Sequence, residues 1–161
     1  MTDIYLITAE DIAEMEGLSK THFLNPNAVR VNKSLGDMAG LTGFGFHIID
    51  VAPGRATTEY HVHYHEDECV FILAGRAIAI IGDDEFDISP GDFIGYRKGG
   101  LAHTIVNTGT TTLRLIVVGE RLSHDVADYP HRGKRIFRQQ GLPANLVDHN
   151  AIEMPTMGAK S

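Results

Sequence analysis

The sequence predicts an all-β protein, a sandwich or closed barrel, and three observations carry that expectation. From Phe44 onward, short apolar or alternating runs follow one another over 44–51, 58–64, 68–73, 76–81, 85–88, 93–96, 102–107 and 112–118. Turn sequences separate them: Pro53-Gly54, Gly75, Gly82-Asp83-Asp84, Pro90-Gly91-Asp92, Gly99-Gly100 and Thr108-Gly109. The runs recur every ~8–12 residues, a rhythm of consecutive strands that leaves no room for the helices of a βαβ fold.

The remaining elements follow in order. Residues 1–43 read as a lead. In Thr8-Ala9-Glu10-Asp11 a hydroxyl is followed three residues on by an acid, the pattern of a capping box, which predicts a short amino-terminal helix. Ile12 and Met15 give that helix a narrow apolar edge, and Gly17 is placed to end it. Over 18–43 the turn signals Asn25-Pro26-Asn27 and Gly36-Asp37 dominate, and only Ala28–Val31 reads as a strand in an otherwise irregular stretch. The barrel core is expected at about 44–119. After Gly119 the hydrophobic density falls, and 120–161 reads as an irregular arm wrapped on the barrel or on a partner subunit, frayed near Pro155–Ser161. The whole, 1–161, is expected to be one domain, long enough to bury a core without staples.

Composition bounds the function. With 43% apolar and 22% charged residues the chain is globular rather than disordered, and its net charge of −7 argues against general nucleic-acid binding, which needs an excess of Lys and Arg. A single cysteine, Cys69, excludes an intramolecular disulfide and suits a reducing compartment. Met1-Thr2-Asp3-Ile4-Tyr5 lacks a basic leader and no long apolar run follows, so a cytoplasmic protein is expected, with no membrane partner.

Nine histidines are present, three of them in Glu59-Tyr60-His61-Val62-His63-Tyr64-His65. Alternation on a strand puts His61, His63 and His65 on one face. Three imidazoles make a poor hydrophobic core and a good start for a metal site. Residues two apart on a strand lie about 6.6 Å apart and residues four apart about 13 Å, so either His61 with His63 or His63 with His65 can converge on one ion, but not His61 with His65.

His61-x-His63-x4-Glu68-x6-Gly75, after Pro53-Gly54, resembles the first motif of the cupin superfamily, and Gly100-x2-His103-x3-Asn107, after Pro90-Gly91-Asp92, resembles the second. With flanking strands the likeness spans roughly 44–119. It departs at Lys98, where the second motif usually has proline, and at Gly54, one residue further from His61 than usual; both changes fall in turns. The resemblance implies a double-stranded β-helix, or jelly-roll, barrel. It also implies a divalent metal (Fe, Mn, Ni, Co or Zn) held by His61, His63, Glu68 and His103. It thus selects the 61/63 pair and prefers Glu68 to its neighbours Glu66 and Asp67, leaving His65 near the strand end. Asn107 is expected to brace the barrel. Cys69, one residue from Glu68, should face the other way as a small buried hydrophobe; His47 is expected in the core or at the surface, and Tyr96 and Arg97 either beside a substrate or on the surface. The segment Gly119-Glu120-Arg121 to Lys134-Arg135 resembles the tail of small bacterial cupins labelled sugar-phosphate-isomerase-like. The basic stretch 132–138 reads as a solvated or interface charge run rather than a phosphate site.

These features imply an enzyme acting on a small polar molecule, of isomerase or dioxygenase type, or else a non-catalytic module that binds a small molecule or metal. An isomerase needs an inward acid or base, for which His65 or a glutamate is the candidate; a dioxygenase needs a redox metal. A homodimer is expected from the resemblance and from the arm, and light scattering giving a mass near 17.6 kDa would contradict it.

Overall fold

The computed structural model describes residues 4–158. The expected helix is α1 (Ala9–Glu14), and its capping box forms: Asp11 N–H donates to Thr8 Oγ1 at 3.1 Å and Thr8 N–H donates to Asp11 Oδ2 at 2.8 Å. The helix stops at Glu14, and Gly17, at φ +77°, turns the chain into the next element instead of capping it. That element corrects the expectation of an irregular lead. Residues 18–34 form a hairpin, β1 (Leu18–His22) and β2 (Asn25–Ser34), followed by a four-residue helix, α2 (Leu35–Met38). The hairpin hides from pattern reading because half-buried or buried positions in it are polar: His22, Arg30, Asn32 and Lys33.

The barrel strands follow the predicted punctuation: β3 (Phe44–Val51), β4 (Val62–His63), β5 (Glu68–Ala74), β6 (Ala77–Ile81), β7 (Asp84–Ile88), β8 (Phe93–Tyr96), β9 (His103–Val106) and β10 (Leu113–Glu120). The strand expected over 58–64 is the exception. Only Val62–His63 forms a ladder, while the residues before it meet β9 singly, through a bridge of His61 to His103 and a Thr57 N–H to Ile105 O hydrogen bond of 2.9 Å. The carboxy-terminal arm is also corrected. It holds β11 (His124–Tyr129), β12 (Lys134–Gln139) and β13 (Asn145–Asp148), and acids and bases fill these strands where apolar alternation would have announced them. Of the frayed end, residues 155–158 carry no regular structure and 159–161 lie outside the described residues.

The strands make two layers. One is a six-stranded antiparallel sheet ordered β1-β2-β3-β10-β5-β8. The other starts as β7-β6-β9, is continued by bridges from β9 to Ala56 and His61, and passes through β4 into β11-β12-β13. This is the expected double-stranded β-helix, with the arm extending one layer. Between the layers, Ile49, Val51, Val70, Ile72, Leu113 and Leu115 pack against Ala77, Ala79, Ile88 and Ile105, all nearly inaccessible to water. Each fully buried Leu or Ile contributes about 1.5–3 kcal/mol. Gly75 makes the β5–β6 turn possible: its φ is +86°, and a Cβ there would sit 2.8 Å from Thr112 O. Among the described residues no helix is long and apolar enough to cross a membrane.

Candidate metal centre

Beside the core the layers part around a cavity of about 250 Å³. Ile49, Val70, Ile105 and Leu115 give it an apolar floor, and His61, His63, Glu68 and His103 all line it. Local structure explains the convergence. His61 and His63 flank Val62 on alternate positions, Glu68 opens β5, and His103 opens β9 beside His61. The His61 ring centroid lies 4.9 Å from that of His63 and 4.7 Å from that of His103. Potential ligand atoms of His61, His63 and Glu68 fall within 4.8 Å of one another. His103 stands just outside that trio, its Nε2 3.9 Å from Glu68 Oε1.

Hydrogen bonds behind the rings set their chemistry. His61 Nδ1 lies 2.8 Å from Glu59 O, His63 Nδ1 2.6 Å from Asp125 Oδ2, and His103 Nδ1 3.2 Å from Leu101 O. Carbonyl and carboxylate oxygens only accept, so each ring donates from Nδ1 and, when neutral, keeps its lone pair on Nε2. His103 Nε2 is buried with no partner. A buried acceptor left unmatched is costly, and a cation in the cavity would match it.

Electrostatics favour neutral rings at two positions. Burial, reinforced by His103 and His63, holds the His61 pKa well below its ordinary value, and burial takes His103 down to about 4. At His63 burial also pulls down, but the hydrogen bond to Asp125 and the charges of Glu68, Asp125 and Glu66 outweigh it and the net shift is upward. Burial raises the Glu68 pKa against the opposing pull of His63 and Arg30. Three imidazole nitrogens and one carboxylate suit a first-row divalent ion, and an orphaned Nε2 among them shows that the residues present fit such a group.

Asp125 anchors His63 and also accepts from His65 N–H at 3.2 Å and from Arg138 at 2.9 Å. Glu66 accepts from Leu122 N–H and is paired with Arg138. His63, Glu66 and Asp125 are themselves close enough to suggest a second ion. Their carboxylates are already engaged by Arg138 and backbone N–H groups, so the cluster serves as a support for His63.

The other residues singled out in the sequence meet expectation in some cases and depart from it in others. Tyr96 is buried, stacks on His103 with centroids 3.5 Å apart and planes within 3°, and its hydroxyl has no partner. Burial, with the Glu68 charge, raises its pKa and keeps the phenol protonated. Arg97 is exposed. His47 lines the cavity, its Nδ1 3.0 Å from Ser34 Oγ. His65 does not line it; it is exposed beside His124, which removes it as an inward acid or base. Cys69 does not line the cavity, as expected, but it is half-buried rather than buried, in a shallow groove with Phe44 and Gly95. Asp67 accepts from Lys98 N–H at 2.8 Å instead of facing the cavity. Asn107 is fully buried, donating to Val51 O and Thr111 O and accepting from Gly109 N–H, a bracing role. In the 132–138 stretch the charges are paired within the chain: Arg132 with Glu59, Lys134 with Asp148, Arg135 with Asp128, and Arg138 with Glu66 and Asp125. Lys20, His22, Arg30, Asn32 and Tyr129 also line the cavity. For the first four the signal in the sequence is the polar alternation Lys20-x-His22 and Arg30-x-Asn32.

Comparison with known proteins adds the following. A family model described as a cupin domain matches residues 47–119. The chain is 47% identical to a protein of known crystal structure from Acidithiobacillus ferrooxidans, provisionally named a sugar phosphate isomerase. That match covers 94% of this chain and 97% of the other, with a TM-score of 0.91. A sugar phosphate isomerase from a cupin superfamily, from Silicibacter pomeroyi, superposes with a TM-score of 0.80 over 91% of this chain and 96% of its own; at 22% identity it shows the fold alone. An uncharacterized protein of Methanocaldococcus jannaschii is 30% identical over 66 residues, 41% of this chain, and the match spans about half, 52%, of that curated relative.

Proposed function

The chain belongs to the cupin superfamily, and from that premise we propose that it is a metal-dependent isomerase of a small phosphorylated sugar. The observation that carries the reading is the common state of three imidazoles: His61, His63 and His103 each spend Nδ1 on a fixed acceptor and leave Nε2 free. With Glu68 they would hold one divalent ion, and Fe, Mn, Ni, Co and Zn all suit the donor set. When bound, the metal supplies Lewis-acid polarisation of a substrate carbonyl or hydroxyl oxygen.

The rest is the work of the chain. Tyr96 presents a protonated hydroxyl with no competing acceptor. His22 Nδ1 accepts from Leu24 N–H at 3.2 Å, so its neutral ring carries the proton on Nε2 and offers a donor, the reverse of the other three histidines. The apolar floor keeps water from one side of a bound molecule, and the cavity volume admits only a small one. The name given to the 47%-identical protein supports isomerase chemistry on a sugar phosphate.

Elemental analysis of untagged protein beside His63→Ala tests the reading. About one divalent ion per chain is expected in the wild type and almost none in the variant, since one lost imidazole removes a ligand and its anchored partner. Wild-type protein should then interconvert aldose and ketose phosphates with solvent exchange of one carbon-bound hydrogen, followed by proton NMR in D₂O. Absence of metal, with none taken up on reconstitution, overturns the metal centre. Oxygen consumption without interconversion redirects the chemistry to a dioxygenase, and tight ligand binding without turnover redirects it to a binding module.

A further inference from the structure

We infer that Arg30 and Lys20 form an anion subsite of this cavity and receive the phosphate group of the substrate; the ligand's identity as substrate rests on the reading above. The two residues are direct cross-strand partners in the β1–β2 ladder, and both line the cavity. Like charges placed opposite each other on a ladder repel, so the arrangement is unfavourable unless something negative lies between or beside them.

Neither cation has an ion-pair partner among the described residues, although the cations of the 132–138 stretch are each paired. Arg30 is half-buried. Its Nη1 donates to Thr57 O at 2.5 Å, while its Nε is buried with no partner. Among the described residues Nη2 makes no hydrogen bond either, so the guanidinium keeps unspent donors of the kind that pair with the oxygens of an oxyanion. Burying a guanidinium without a counter-charge is unfavourable, which marks the position as built for a charged ligand.

The cavity supplies no other answer to these charges. Glu68 is the one acidic side chain lining it, against Lys20, Arg30 and five histidines, His22, His47, His61, His63 and His103. Its charge reaches Arg30, but Glu68 belongs to the proposed metal centre, where a divalent ion would neutralise it. The next inward residue of β2, Asn32, is neutral and hydrogen-bonded to Ser34 Oγ at 2.7 Å. Two unanswered positive charges match the dianion of a phosphate monoester better than a single carboxylate.

Calorimetric titration of inorganic phosphate into the full chain, as purified with its metal, tests the subsite. The comparison set is Arg30→Gln, Arg30→Lys, Lys20→Gln and His63→Ala, with metal content and melting temperature measured on every sample. Arg30→Gln should weaken phosphate binding about tenfold or more, as expected for lost hydrogen bonds to a charged group. Lys20→Gln, at an exposed position, should weaken it about two- to fivefold. Arg30→Lys keeps the charge without the paired donors and should fall between them, so the subsite stays testable should Arg30→Gln fail to fold. Metal content should be unchanged in all three. Equal phosphate affinity in wild type and these variants overturns the inference, as does the absence of phosphate binding. Binding lost in His63→Ala but kept in Arg30→Gln also overturns it, because the phosphate would then sit on the metal. Arg30-dependent binding in protein that holds no metal would uphold the subsite and bring down the metalloenzyme reading alone.

Discussion

On one side of the cavity, His61, His63 and His103 direct their Nδ1–H groups away from it, onto Glu59 O, Asp125 and Leu101 O; on the β1–β2 side, Arg30 and Lys20 bring positive charge to it with no ion-pair partner among the described residues. Both walls are rich in nitrogen, yet they have opposite chemical sense. Lone pairs facing inward ask for a cation, and N–H groups facing inward ask for an anion. The difference lies in what stands behind each side chain, which a survey of residue types lining a cavity would miss.

The comparison breaks most visibly if the acceptor behind a histidine is removed. Asp125→Asn should lower metal affinity about 10- to 100-fold, the usual effect of losing the group that orients a ligating imidazole. Competition with a chromophoric chelator measures it, and an unchanged affinity would mean that the Nδ1 anchors do not matter to the site.

A smaller effect separates paired from unpaired cations. Arg135, hydrogen-bonded to Asp128 through two nitrogens, is the paired counterpart of Arg30. That contact, aided by Tyr64 and His149 and opposed by burial, lowers the Asp128 pKa from 3.8 to about 2. A carboxylate with a depressed folded-state value stabilises the fold above the unfolded value; as pH falls from about 3.8 to about 2 the unfolded chain gains the proton first and the stabilisation, at most about 2 kcal/mol, is lost. Arg135→Met should cost about 1.5–3 kcal/mol near neutral pH and flatten that acid-side loss. Urea unfolding at pH 5, 3 and 2 gives both quantities, and an undiminished acid-side slope would refute the assignment to this pair.

The smallest expected change sharpens the cavity wall itself. The buried Tyr96 hydroxyl has no partner, so Tyr96→Phe should leave stability unchanged or raise it by less than about 1 kcal/mol. A clear drop in melting temperature would show that the hydroxyl is satisfied in solution.

The barrel was legible in the sequence because its strands are bounded by turn residues with specific backbone needs, Gly75 among them, and because Val70 and Ile72 or Leu113 and Leu115 alternate into one core. The positions 61, 63, 68 and 103 were legible because their spacing resembles a known pattern, and the structure brings them to one cavity. The β1–β2 hairpin was not legible: its inward residues Lys20, His22, Arg30 and Asn32 face a polar cavity, so the alternation that marks a strand was written in charge instead of hydrophobicity. The arm escaped notice for a related reason. β11 and β12 pair Asp128 opposite Arg135 and Asp125 opposite Arg138, and such residues read one at a time resemble a solvated coil. Conversely, 58–64 alternates like a strand, but Thr57 and His61 meet β9 at isolated points and only Val62–His63 joins a ladder.

Asp125 lies on β11, beyond the family match at 47–119, yet it fixes the ring of His63 from 62 positions down the chain. The component that tunes the site is thus physically separate from the component that defines it. Substitutions along β11 can adjust the grip on a histidine without touching the barrel or its motifs. Two proteins with the same motif can in this way diverge in behaviour through a strand that motif-level comparison never reads.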